Sequence, residues 1–289
     1  MKRKSTMVKS LLMAVMMTVL LTATVFASGN TDWQNGSISA EGFGSAPANA
    51  RSAGQARALA RRAAIVDAYR NLGEYAEGVN VNAETTVKDM VVESDVIKTK
   101  MSALIKGARI ISEQMNPDGT YQVEMQIAMF GGTDSLAAAV LPTANPIEPF
   151  PAPVIVPLSP AGSGIPQTAV PNAPRNAAAG GYTGLIVDCS GLGLECVMSP
   201  VIFDANNKPI YGNKNLDSTK VIRYGMASYS RDGVTDLTRA GSNPLVVKAV
   251  SLTGNDCNPV ISVEDANRVL LENQASGFLT NCAVVFIKK

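Results

Sequence analysis

Ten of the chain's 16 prolines fall between Pro142 and Pro174. A proline ring fixes φ and removes the backbone N–H, so "LPTANPIEPFPAPVIVPLSPAGSGIPQTAVPNAP" can neither donate a full ladder of sheet hydrogen bonds nor sustain a helix. The stretch reads as an extended, polyproline-like spacer that reaches on the order of 100 Å when fully drawn out. The other use of P-x-x-P sequence, as a ligand for aromatic grooves, belongs mostly to intracellular partners. A chain interrupted in this way folds as two units, with boundaries at 28–132, a linker over 133–181, and 182–289.

The chain's start sets the compartment. Lys2, Arg3, Lys4 and Lys9 precede an apolar run from Leu11 to Leu21, and "TATVFA" ends in Val25 and Ala27, at the −3 and −1 positions of a signal peptidase site. The run is short of the roughly 20 apolar residues that span a bilayer. Residues 1–27 are therefore expected to be an export signal. Their removal takes away four cations and no anion, leaving 21 Lys+Arg against 24 Asp+Glu, a net charge of −3. Nucleic-acid binding, which favours a strongly basic surface, is not expected.

Each unit reads as α+β. "GSISAEGFG" suits a strand, and residues 50–77 a long amphipathic helix ending before Gly78, where left-handed geometry is easiest. On that helix Leu59, Ile65, Val66, Tyr69 and Leu72 share an arc with Ala58 and Ala63, while Arg57, Arg61, Asp67, Asn71 and Glu74 lie opposite. Arg62 and Arg70 fall inside the apolar arc, their stems along the core, with Glu74 as a partner for Arg70. Val79 to Lys88 alternates as a strand would. Ser94 caps a helix over 95–106 that Gly107 stops, and "ARIISEQM" and "TYQVEMQIAMF" flank the turn "NPDG". After the linker, "YTGLIVD", "SPVIFD", "KPIYG", "PLVVKAVSL" and "CAVVFI" read as short strands. Ser262 and Asp265 cap one helix whose inner face carries Ala266, Val269, Leu270 and Asn273. The expectation is two small domains, each a mainly antiparallel sheet covered by helices.

The chemistry available is narrow. The chain has no histidine, which removes Ser-His-Asp and Cys-His nucleophiles and every histidine metal site. Neither S-x-x-K nor G-x-S-x-G occurs after the signal. Asp188 and Asp204 lie near strand ends, where an acid–base pair would be sought. "GLGLE" lacks the third glycine of a dinucleotide loop, and "DANNKPIYG" lacks the later glutamate of a calcium loop. No catalytic residue, cofactor or metal is expected. Cys189, Cys196, Cys257 and Cys282 all lie in the second unit. An even count in an oxidising compartment points to two disulfides with three connectivities open, of which Cys189–Cys196 and Cys257–Cys282 close the most local loops. A four-thiolate zinc site is the rival, against the wide spacing.

The pattern "ARALARRAAIVDAYRNLGEYAEGVNVNAETTV" followed by "GARIISEQMNPDGTYQVEMQIAMFG" resembles the domain of the Helicobacter-type membrane-associated lipoprotein family, which is shared with bacterial flagellar assembly protein T and the flagellar basal-disk proteins. The helix motif Ala-Ala-x-x-x-Ala-Tyr-x-x-Leu and the hairpin motif Asp-Gly-x-Tyr-x-Val carry the likeness, over residues 38–131. "YTGLIVDCSGLGLECVMSPVIFDANNKPIYG" with "RAGSNPLVVKAV" is similar to a companion domain of the same group. The resemblance implies a non-catalytic envelope protein, periplasmic or envelope-associated, acting as a structural or assembly accessory of the flagellar basal body. Many relatives carry a lipobox cysteine and this export segment has none, so outer-membrane proximity without a lipid anchor is the expectation. The implied partners are further copies of itself and other envelope or flagellar proteins. Arg57 and Arg61 would meet Glu84, Asp89 or Glu93 of a neighbouring copy. A soluble ligand-binding or adhesion module is the alternative, and a carboxylate-based enzyme the third reading.

Overall fold

The computed structural model describes residues 29–143, 146–154, 177–231 and 237–288. The expected export signal and the middle of the proline-rich stretch lie outside the described residues. The first unit runs β1 (Gly29–Asp32), β2 (Ser37–Gly44), α1 (Ala53–Glu77), α2 (Val87–Glu93), α3 (Asp95–Lys106), β3 (Arg109–Met115), β4 (Tyr121–Ala128) and α4 (Leu136–Val140). Its sheet has the order β1-β2-β4-β3, antiparallel throughout. The alternation in β4 works as the pleat demands: Tyr121, Val123, Met125 and Ile127 are buried and the glutamines between them are not.

α1 lies directly on β2 because β2 carries two glycines. A Cβ at Gly42 would stand 2.1 Å from the Ala68 nitrogen and 2.3 Å from the Ala64 oxygen, and one at Gly44 would stand 2.2 Å from the Ala60 oxygen. The helix backbone rests on the strand backbone, so the inner face is made of the smallest residues, Ala60, Ala64, Ala68 and Ala76, with Leu72 among them. This corrects the helical wheel: Ala58 and Ala63 face out, and Val66 is 63 % exposed. Asn71, expected outside, is buried with its Nδ2 donating to the Glu41 carbonyl at 2.7 Å. Arg62 and Arg70 point to solvent, and Arg70 pairs with Asp67 at 2.6 Å rather than with Glu74.

Two further expectations change after α1. Gly78 is right-handed (φ −75°), extending the last turn instead of reversing it. Residues 79–86 form a loop and not a strand: Asn82 Oδ1 accepts from the Glu84 and Thr85 N–H groups, and Thr86 and Asp89 form a reciprocal capping box for α2. Val79, Val81 and Val87 are still buried, which is why the segment alternates. α3 and its Ser94 cap stand where the sequence puts them.

The second unit contains β5 (Gly184–Asp188), β6 (Ile202–Asp204), β7 (Pro209–Tyr211), α5 (Ser218–Tyr224), β8 (Ser228–Arg231), β9 (Pro244–Thr253), β10 (Asn258–Ile261), α6 (Val263–Ser276) and β11 (Val284–Lys288). Two domains of mixed helix and sheet are present, as expected. The second sheet, β7-β6-β10-β9-β5-β11-β8, is however mixed: β7–β6 and β10–β9 are antiparallel and the other four pairings are parallel. Strand direction is set by how connections cross over, which short apolar runs do not encode, although the near-continuous burial of β5 is typical of a central parallel strand. α6 buries Ala266, Val269, Leu270 and Asn273, as its pattern requires.

The flanks of the expected linker are packed. Ser135 caps α4, which with Leu141 buries Leu136, Ala137, Ala139 and Val140, so the first unit continues past 132 to Leu141. Residues 146–154 lie along the second unit: the Glu148 N–H donates to the Lys214 carbonyl at 2.8 Å, Phe150 stacks on Tyr211 with centroids 6.5 Å apart, and the Val154 N–H donates to Asn267 Oδ1 at 3.0 Å. On the return, the buried Glu272 carboxylate accepts from the Ala179 and Gly180 N–H groups at 2.8 and 2.9 Å. Proline removes a donor but leaves carbonyls and ring surface, and the flanks dock with those and with the N–H groups that remain.

The two units also dock on one another, where separate cores on a tether were expected. Met198 and Ser199 N–H groups donate to the Asn80 and Val81 carbonyls at 3.0 and 2.8 Å, and Asn255 Nδ2 donates to the Ala83 carbonyl at 2.6 Å. Trp33 meets Tyr229 edge-on at 5.5 Å. One apolar cluster runs from Ile38 to Phe286 through both units.

Candidate functional site

The charged residues expected to meet a second copy do not form one free patch. Arg61 Nε donates to Glu113 on β3 at 2.7 Å, inside the same chain, and this pair holds the guanidinium above its ordinary pKa. Asp89 is engaged by Thr86 in the cap, whose hydroxyl and N–H lower its pKa. Arg57, Glu84 and Glu93 are exposed and carry no ion pair among the described residues.

Asp188 and Asp204 are turn residues. Asp188 accepts from the Ser190 N–H at 2.9 Å, and Asp204 from the Asn206 and Lys208 N–H groups at 2.9 and 2.8 Å. These bonds close the turns after β5 and β6, with Asn207 in the left-handed region (φ 61°).

No disulfide joins the four cysteines, and neither of the expected pairings is formed. Cys189, Cys257 and Cys282 are buried and Cys196 is half-buried. Burial pushes the Cys189 thiol up to about 12 and raises those of Cys257 and Cys282. Cys196 accepts from Lys288 Nζ at 3.5 Å. Cys282 lies in the left-handed region (φ 55°) beside Tyr211 and Arg239, and its backbone carbonyl receives Arg239 Nε at 2.7 Å. Among the described residues no group of three or more Cys, Asp or Glu is placed to hold a metal ion.

Two concavities stand out among the described residues. A groove of about 510 Å³ between α1 and α3 has Tyr69, Val91, Met101 and Ile105 on its floor and Arg70, Lys98 and Lys106 on its rim. A second cavity, of about 400 Å³, opens between the β1–β2 turn and the second unit, lined by Gln34, Ser228, Tyr229, Arg239, Asn281 and Cys282 among others. Arg239 stands on a one-turn helix (Thr238–Ala240) before β9, with Nε donating to the Cys282 carbonyl at 2.7 Å and Nη2 to the Gly225 carbonyl. Sequence reading passed over Arg239, Ser228 and Glu272. The only signal for Arg239 is its place before a left-handed Gly241, and neither Ser228 nor Glu272 breaks its local pattern.

Residues 34–128 match the sequence model of the family described as LPP20 lipoprotein, and residues 184–289 match the model of the second domain of Treponema pallidum Tp0624. No curated protein matches the chain. Together the two matches support a two-domain, lipoprotein-like architecture, and neither family description mentions a flagellar protein.

Proposed function

We propose that this chain is a non-catalytic, exported protein of the bacterial envelope that acts as an assembly accessory, holding other protein in place. The observation that carries the reading is the match of residues 34–128 to the LPP20 lipoprotein model. The absence of histidine from the whole sequence supports the non-catalytic part, since it withdraws the commonest general base. The finer form, an accessory of the flagellar basal body, rests on the resemblance of the α1 and β3–β4 motifs to flagellar proteins. Its partner is first of all another copy of itself. With Arg61 and Asp89 engaged internally, the surface offered for this is the edge of β3, where all seven residues are exposed, Ile110, Ile111 and Met115 among them.

Cell fractionation and localisation of the tagged protein, in cells with and without flagella, test the cellular part. Envelope fractionation with foci lost in non-flagellated cells is the expected result, and unchanged foci would remove the flagellar form. Sedimentation of the mature chain tests the partner: association should weaken in Ile111→Lys, while Arg57→Glu with Arg61→Glu has less effect. A monomer at every concentration would leave the ligand-binding module as the better reading, and that reading has an observation of its own in the cavity at Arg239.

A further inference from the structure

We infer that the cavity at Arg239 is a binding site for a small oxyanion, a carboxylate or phosphate group, held at the seam between the two domains. The first ground is charge. Among the described residues none that lines the cavity is acidic, and none makes an ion pair with Arg239. A guanidinium carries five N–H donors in a planar fork, and its recorded acceptors are two backbone carbonyls, of Cys282 and Gly225, which fix its plane without neutralising it. Burial already lowers its pKa, a cost that an anion within the cavity would relieve.

The surroundings share that sign. Lys220 Nζ is bonded to the Asn281 side chain at 3.0 Å, and Arg223 lies over the ring of Tyr224, another lining residue, at 5.8 Å. One acid opposes them among the described residues: Asp217 caps α5, accepting from the Lys220 N–H at 3.0 Å, and its charge reaches Cys282 in the cavity wall. The second ground is an orphan hydroxyl. Ser228 lines the cavity, and its Oγ, sealed from solvent as it stands, has no hydrogen-bond partner, where most buried polar groups have one. A serine rotor is cheap to turn, and an oxyanion beside Arg239 supplies the acceptor. The third is size and place: about 400 Å³ is in the range of small-molecule sites. Among the described residues Gln34 lines the cavity from the first domain and the others come from the second, so an occupant that fills it would touch both.

The chain's single tryptophan reports on this cavity, because Trp33 packs on Tyr229 beside Gln34. Trp33 fluorescence is followed while inorganic phosphate, succinate or acetate is added at constant ionic strength, with chloride as the balancing anion. Binding by the variants is measured by calorimetry. A saturable response to phosphate or to the carboxylates is expected, with the tighter class naming the group recognised. Gln34→Glu, a surface change at the mouth, should weaken binding about tenfold and Gln34→Lys strengthen it by a similar factor, as one charge several ångströms away in a partly screened site would do. Arg239→Lys keeps the charge and loses the fork, and should weaken binding further. A response that tracks ionic strength alone overturns the site, as does equal affinity in the two Gln34 variants. If Arg239→Lys does not fold, the Gln34 pair decides.

Discussion

At the scale of single residues, glycine carries the sharpest information. Gly42→Ala would drive a methyl into the α1 backbone at Ala64 and Ala68, which are helix atoms and not the end of a flexible side chain. It should cost about 3 kcal/mol or more, as overpacking against rigid backbone does. Gly73 lies within α1 with open space around its Cβ position, so Gly73→Ala should instead stabilise by about 0.5–1 kcal/mol. Urea unfolding of the two variants separates a glycine needed for close approach from one that is not. Similar effects of both would mean that α1 does not rest on β2. The buried thiols give a pH signature. Their folded pKa values are raised above the ordinary 9.0, Cys189 to about 12, so below pH 9 the thiols are neutral in both states and their contribution is intact. Above it the unfolded chain releases protons that the folded chain keeps, and stability falls as pH climbs toward the folded value. Urea midpoints should therefore drop from about pH 9 upward, as the thiols of the unfolded chain ionise while the folded chain keeps its protons, and the drop should shrink in Cys189→Ala.

At the scale of elements, the packed flank of the proline-rich stretch makes a test. Phe150 on Tyr211 and the backbone bonds at Glu148 and Val154 hold residues 146–154 to the second unit. Proteases need unpaired, exposed backbone, so this flank should resist limited digestion in the wild type. Phe150→Ala removes the ring that anchors it, and early cuts mapped by mass spectrometry should then appear between residues 146 and 154. The same flank marks where sequence reading stops. Helices announced by a cap and a stop were legible to the residue, as with Ser94 and Gly107 around α3 or Ser262 before α6. Period-two burial was legible in β4. Residues 79–86 misled because a tight loop that buries Val79 and Val81 alternates just as a strand does. The parallel strands of the second sheet and the docking of the proline flank depend on contacts far away in the chain, and no local pattern records them. The Arg239 cavity was illegible for the same reason, since its walls come from the β1–β2 turn, β8 and the loop before β11.

At the scale of the whole molecule, the question is whether two domains behave as one. The composition argued for independent units, but the seam is made of the same materials as the interiors. Backbone N–H groups of Met198 and Ser199 pair with carbonyls of the 79–86 loop, Asn255 reaches Ala83, Phe130 packs against Gly225, and the apolar cluster is continuous through both units. Separating the domains would strand those carbonyls and expose the Trp33 and Tyr229 rings, so partial unfolding has a cost of its own. The full chain should therefore unfold in one cooperative step. Trp33 gives the local probe, because its environment is half first domain and half Tyr229 of the second. Far-ultraviolet circular dichroism gives the global one, since both domains contribute helix. Coincident urea transitions by the two probes are the expected outcome. Asn255→Ala should shift both together by about 2 kcal/mol, from the loss of one hydrogen bond at the seam and the strain of an alanine in the left-handed region that Asn255 occupies (φ 52°). If the Trp33 signal is lost well before the helical signal, the domains come apart first, and the folded chain is the pair of tethered modules that its prolines suggested.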